Sequence, residues 1–169
     1  IHFIATNSNG MGYFDNVGKT RRVGLDASLM GSLDKFSWSA GYSFVDATYQ
    51  SDLQLQNQVN SSSDHSDPNN PVINVSKGDR LANIPKHQFK LRVQYAVTPD
   101  WTVGSNITAF SDRYMRGNEN NNHQANNGDT DFYQGKGKVA GYALVNLDTR
   151  YNIGSGWSVF GKAINIFDV

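Results

Sequence analysis

The side chains able to do chemistry are few and scattered. The four histidines, His2, His65, His87 and His123, have no regularly spaced ligand partner, and the chain holds no cysteine. Cysteine-ligated zinc, iron–sulfur clusters and disulfide staples are therefore excluded. Asp64-His65-Ser66-Asp67 offers carboxylates and an imidazole to a metal ion. Calcium needs about six to eight oxygens in defined geometry, and a solvated loop is the simpler reading. Gly135-Lys136-Gly137-Lys138 lacks both the Lys-Ser/Thr ending and the preceding strand of a phosphate loop, and it reads as a flexible basic loop. There is no Gly-x-Ser-x-Gly elbow. With no catalytic constellation, no metal site and no cofactor motif, the expectation is a protein that is not an enzyme.

Composition narrows the class. Lys+Arg 15 and Asp+Glu 15 cancel to a formal net charge of +0, so no global pull on nucleic acid is expected. A chain 38% hydrophobic and 12% aromatic is too apolar to be disordered. No uninterrupted apolar run approaches the roughly 20 residues a membrane helix needs. Ile1-His2-Phe3-Ile4-Ala5 has neither the basic nor the apolar region of a signal peptide and looks like the inside of a strand.

The dominant pattern is period two, which marks strands with two different faces. Val23, Leu25, Ala27 and Leu29 alternate with Arg22, Gly24, Asp26 and Ser28. The same alternation runs through Phe36–Phe44, Phe89–Val97, Trp101–Ala109 and Ala143–Ile153. It is less clear from Trp157 to Asn165, where Lys162 facing inward puts Val159, Gly161 and Ala163 outward. No segment has a convincing helical period, and Asp52–Val59 reads as part of a loop.

The connections carry the most information. Gly31–Lys35, Thr98–Asp100 and Gly154–Gly156 are short, with Pro99 suited to a turn. Between them lie two long polar insertions, Ser51–Pro85 and the Asn-rich Gly117–Ala140. Compact soluble domains usually join elements with about 4–6 residues. Strict alternation of short and long connections fits an outer-membrane β-barrel, with short periplasmic turns and long extracellular loops. Aromatics near the strand ends suit two interfacial girdles: Phe36, Trp38, Trp101, Tyr151 and Trp157 by the turns, and Tyr13, Phe14, Tyr49 and Tyr114 by the loops. Arg113, Tyr114, Met115 and Arg116 sit where a wall strand enters a long loop, and an aromatic girdle with basic residues near headgroups accounts for them. The soluble alternative is a sandwich such as a carbohydrate-binding module, which more often has short connections at both ends. The glycosylation sequons at Asn60, Asn74 and Asn106 mean little in a bacterial barrel, and Asn106 falls inside the wall.

Four segments carry a family likeness. They are Tyr13-Phe14-Asp15-Asn16-Val17-Gly18-Lys19-Thr20-Arg21-Arg22-Val23-Gly24-Leu25-Asp26, Tyr42–Tyr49, Gly78-Asp79-Arg80-Leu81-Ala82-Asn83-Ile84-Pro85-Lys86-His87 and Asn165-Ile166-Phe167-Asp168. In this order, the chain resembles the C-terminal part of the β-barrel of a TonB-dependent outer-membrane receptor. The likeness implies an all-β antiparallel transmembrane barrel of about 22 strands with an N-terminal plug. Residues 1–169 would supply about seven strands, counting a stub at Ile1–Ala5, and read as a section truncated at both ends with the plug absent.

The resemblance further implies active transport of a scarce nutrient, an iron–siderophore complex foremost, at the outer membrane of a Gram-negative bacterium. Partners would be outer-membrane lipid, a ferric siderophore or similar small ligand, and the TonB complex through a missing N-terminal region. A passive porin is the alternative within the membrane. In this reading Arg113, Tyr114, Arg116 and His123 are candidates to meet an anionic, aromatic chelate, since arginine pairs and stacks with such groups. Arg22, Lys90, Arg92, Asp148, Arg150 and Lys162 would face the wet lumen. The turns at Asp34, Pro99 and Ser155 would face the periplasm, and the loops around His65 and His123 the outside.

Overall fold

The computed structural model describes residues 18–125 and 132–168, together with the backbone of residues 2–5 and 12–15. In chain order the strands are β1 (His2–Ala5), β2 (Gly12–Asp15), β3 (Thr20–Leu33), β4 (Phe36–Tyr49), β5 (Leu53–Gln56), β6 (Val72–Val75), β7 (His87–Ala96), β8 (Trp101–Phe110), β9 (Arg113–Tyr114), β10 (Lys138–Val139), β11 (Tyr142–Gly154) and β12 (Trp157–Ala163). Among the described residues there is no helix. Contacts divide the chain into two units, each taken by itself: a loop unit (residues 1–23, 46–84 and 113–139) and a sheet unit (24–45, 85–112 and 140–169).

The long alternating segments form one six-stranded sheet in the order β12-β11-β8-β7-β4-β3, a meander of strands consecutive in the sheet. The turns are tighter than the sequence predicts at the first position: β3 runs on to Leu33, leaving Asp34-Lys35 as the turn, with Asp34 at φ 50. Gly154-Ser155-Gly156 takes φ values of 98, 53 and 83, a left-handed run in which both flanking glycines are needed. At the second turn Val97 N donates to Trp101 O at 2.8 Å.

Register fixes the faces, because directly opposed residues in a sheet share a side. Trp38, Val93, Ser105, Leu147 and Ala163 form one cross-strand row, and Ala40, Leu91, Ile107 and Val145 another. The opposite face carries the row Ser37, Gln94, Gly104, Asp148 and Lys162. Lys90, Arg92 and Arg150 share that polar face. Arg22 alternates along β3 with Val23 on the side of Gly24 and Asp26. The apolar residues stay open: Leu29 is 65% exposed, Ile153 63% and Val159 58%. A soluble sandwich would cover that face with a second sheet, whereas a lipid-facing wall leaves it bare.

His2–Ala5, read as the stub of a strand, is a strand and pairs with Gly12–Asp15 in a two-stranded ladder. Ile1 and the side chains of Tyr13 and Phe14 lie outside the described residues. One expectation changes. Asp52–Val59, read as loop, contains β5, which pairs with β6 from Leu53↔Val75 to Gln56↔Val72. Its alternating Leu53 and Leu55 have a partner strand about twenty residues on, beyond the window in which periodicity can be read. Leu55, Ile73 and Val75 are buried, with Tyr49 and Leu53 packed on them, so the long insertion has a small core of its own.

Candidate ligand site

A short ladder brackets the second long insertion, β9 just before it and β10 near its end. Arg113 pairs with Val139 and Tyr114 with Lys138, which ties down the segment read as a flexible basic loop. The Tyr114 ring is held between two cations, Arg80 at 5.3 Å and Lys138 Nζ at 5.2 Å from its centroid. Such contacts are worth about 0.5–1 kcal/mol each at exposed positions.

Just beyond β9 lies a cavity of about 230 Å³ whose wall comes from both long insertions. Val59 and Asn60 contribute from the first, Asn118, His123 and Tyr133 from the second, and Arg116 from the residue just before it. Of the four residues singled out by sequence, Arg116 and His123 therefore meet at one cavity, while Arg113 and Tyr114 stand beside it in the β9–β10 ladder.

The His123 ring is fixed at both nitrogens. Nδ1 accepts from Ser61 N at 3.0 Å, and Nε2 lies 3.1 Å from Gly135 O. An accepting Nδ1 places the proton on Nε2, which donates to the carbonyl. The ring thus lines the cavity with both nitrogens engaged, tilted against Tyr133 at 5.7 Å between centroids. Gly137 permits this closeness: a Cβ there would stand 2.6 Å from Asn118 Nδ2 and 2.8 Å from His123. Arg116 is exposed, so its guanidinium is available to an anionic group. The cavity therefore offers a cation, two aromatic rings, amides and an apolar patch from Val59, a set suited to one planar or anionic arm of a small ligand.

The asparagines carry the architecture, and the sequence pattern did not reveal it. Asn60 is 1% exposed, Asn120 2% and Asn118 3%. Asn60 Nδ2 donates to Gly117 O at 2.7 Å, and Asn118 Nδ2 to Gly137 O at 2.8 Å. Among the described residues, no buried side-chain polar atom lacks a partner. The one available signal was local: Asn and Ser at spacings of two or three favour side-chain-to-backbone turns. Asn57 Oδ1, for example, accepts from Val59 N and Asn60 N, both at 3.0 Å.

The carboxylates of Asp64-His65-Ser66-Asp67 serve their own turns. Asp64 Oδ1 accepts from Ser66 N at 2.9 Å and Asp67 Oδ1 from Asn69 N at 3.0 Å. The His65 ring tilts against Phe132.

The chain is similar to known proteins. The chain is 22% identical over 166 residues to the metal-pseudopaline receptor CntO of Pseudomonas aeruginosa, covering 98% of this chain and 19% of that protein. Its fold is similar to that of the siderophore receptor PiuA from Acinetobacter baumannii, with a TM-score of 0.64 and 21% identity over 90% of this chain and 18% of PiuA. The chain thus spans about a fifth of the length of each. The family model described as TonB dependent receptor-like, beta-barrel matches residues 2–166. Members of that family are outer-membrane transport receptors of Gram-negative bacteria, not enzymes. The chain belongs to the TonB-dependent receptor β-barrel family.

Proposed function

We propose that this chain is a wall-and-loop section of an outer-membrane receptor that binds a scarce metal chelate, an iron–siderophore complex foremost. Energy relayed through TonB then drives the chelate inward. In this reading the apolar rows of the sheet meet lipid, Arg22, Lys90, Arg92, Asp148 and Arg150 face the lumen, and the long insertions lie at the cell surface. The names of CntO and PiuA support a chelated-metal ligand.

The observation that carries the reading is the cavity shared by the two insertions. Arg116 would pair with an anionic oxygen of the chelate and Tyr133 would stack on a planar arm, with Arg113 and Tyr114 at its margin. His123, with both nitrogens engaged, serves as a wall rather than a donor to the metal. At about 230 Å³ the cavity takes one arm, since whole-ligand pockets run to about 300–1,000 Å³.

The test is uptake of radiolabelled iron, presented as ferric siderophore, by cells whose only receptor is the full-length protein containing this chain. Uptake should stop when an uncoupler is added. Arg116→Ala should raise the KM about tenfold at unchanged surface abundance, the signature of lost binding. Uptake that persists through the uncoupler would mean a passive channel.

A further inference from the structure

We infer that the buried asparagines are positioning residues that lock the two long insertions together, so that both walls of the cavity move as one body. The links run from residues 57–62 to residues 117–124 and to Tyr133. Asn57 Nδ2 and Asn60 Nδ2 both donate to Gly117 O, at 2.8 and 2.7 Å. Asn120 Nδ2 donates to Ser62 Oγ at 2.8 Å, and its Oδ1 accepts from Asn60 Nδ2 at 3.3 Å. Backbone joins in: Gln124 N donates to Ser61 Oγ at 2.7 Å and Tyr133 N to Val59 O at 2.9 Å. A second brace ties the same insertions further along, where Asn121 Oδ1 accepts from Arg80 N at 2.8 Å and Asn121 Nδ2 donates to Arg80 O at 3.0 Å.

Parting the insertions would strip partners from Asn60 and Asn120 together, and each is almost wholly buried. Unpaired buried amides are costly, so the seam opens as a unit or not at all. An amide suits this task because it donates and accepts at once. A chelate would therefore meet a preformed cavity, or one whose two walls shift together, and would not pry them apart. The coupling stands on geometry alone, whereas its use in ligand entry rests on the receptor reading above.

The test uses Ser62→Cys with Asn120→Cys in the full-length receptor, since neither side chain lines the cavity. Outer-membrane abundance would be checked first. With the thiols reduced, hydrogen exchange at the Ser61 and His123 amides should quicken together, by about tenfold. Oxidation, or a short thiol-to-thiol cross-link, should restore slow exchange in both. A metal–pseudopaline complex serves as the binding probe: its affinity should fall about fivefold in the reduced protein and recover in the oxidised one. Faster exchange confined to one insertion, or a cross-link that abolishes binding of the probe, would overturn the inference. A wild-type receptor that ignores this probe would count against metal–pseudopaline as its ligand, and the exchange data would still decide the clamp.

Discussion

Arg92 on β7 reaches past β8 to grip Asp148 on β11 with two hydrogen bonds, Nη2 to Oδ1 at 2.8 Å and Nη1 to Oδ2. The intervening residue is Gly104, opposite Asp148 in the β8–β11 register. A Cβ at Gly104 would lie 2.7 Å from Arg92 Nη2. The missing side chain is what lets the pair close diagonally over the middle strand.

Gly104→Val should therefore displace the guanidinium and destabilise the receptor by about 1–3 kcal/mol. Combining it with Arg92→Met should cost less than the sum of the two single changes, because the pair is then already lost. Urea unfolding in lipid vesicles measures the cycle, and simple additivity would show that Gly104 does not make room for the pair.

The two faces of β7 make a sharper contrast. Val93 belongs to the apolar row with Trp38 and Leu147, and Gln94 to the polar row with Asp148 and Lys162. Val93→Arg should impair assembly, since arginine on the lipid face costs about 2–4 kcal/mol near midplane. Gln94→Arg should be mild. Heat-modifiable migration of membrane extracts reads folding directly, and equal losses would reverse the face assignment.

Tyr114 should report on the β9–β10 ladder. Tyr114→Phe keeps a ring between Arg80 and Lys138, and resistance of the loops to protease should be close to wild type. Tyr114→Leu removes the ring face from both cations and should weaken the ladder by about 1–2 kcal/mol. If phenylalanine were as damaging as leucine, the hydroxyl and not the ring would be the important group.

Two aspartates in the first insertion are shifted in opposite directions from the ordinary carboxyl value. Burial raises the Asp79 carboxyl above its ordinary 3.8, against the hydrogen bond from Ser76 N, with the charge of Asp52 adding to the rise. Its contribution to stability is full below the ordinary value and is lost as pH rises through the raised one. Hydrogen bonds from Ser66 hold Asp64 below 3.8, so its contribution is present above that value and is lost as pH falls through the lowered one. Carboxyl carbon shifts followed by NMR through a pH titration should separate the two. The same order for both would contradict the described burial and hydrogen bonds.

Strand faces and turn order were legible because period two survives on its own in every wall segment but the last, Trp157–Ala163: Phe89, Leu91 and Val93 announce a side without reference to any partner. The β5–β6 hairpin was hidden because Leu55 finds Ile73 only across an insertion rich in Ser, Asp and Asn. The site was half legible. Arg116 and His123 stood out as chemistry-bearing types, but the role of Asn60 and Asn118 depends on carbonyls at Gly117 and Gly137, acceptors that every residue carries and no composition reveals. Tyr133 escaped for a related reason: it reaches the cavity through a backbone bond to Val59, more than seventy positions earlier.

The brace between the insertions is made from amides, hydroxyls, an imidazole and backbone, with no ion pair among the links described above. Ionic strength screens exposed charges over a distance of about 8 Å at physiological salt and less in brine. A strap of opposite charges at a cell surface would thus slacken whenever the surrounding water turned saline. Neutral amides respond only weakly to that change, so these asparagine and serine links should hold equally well in fresh water and in sea water.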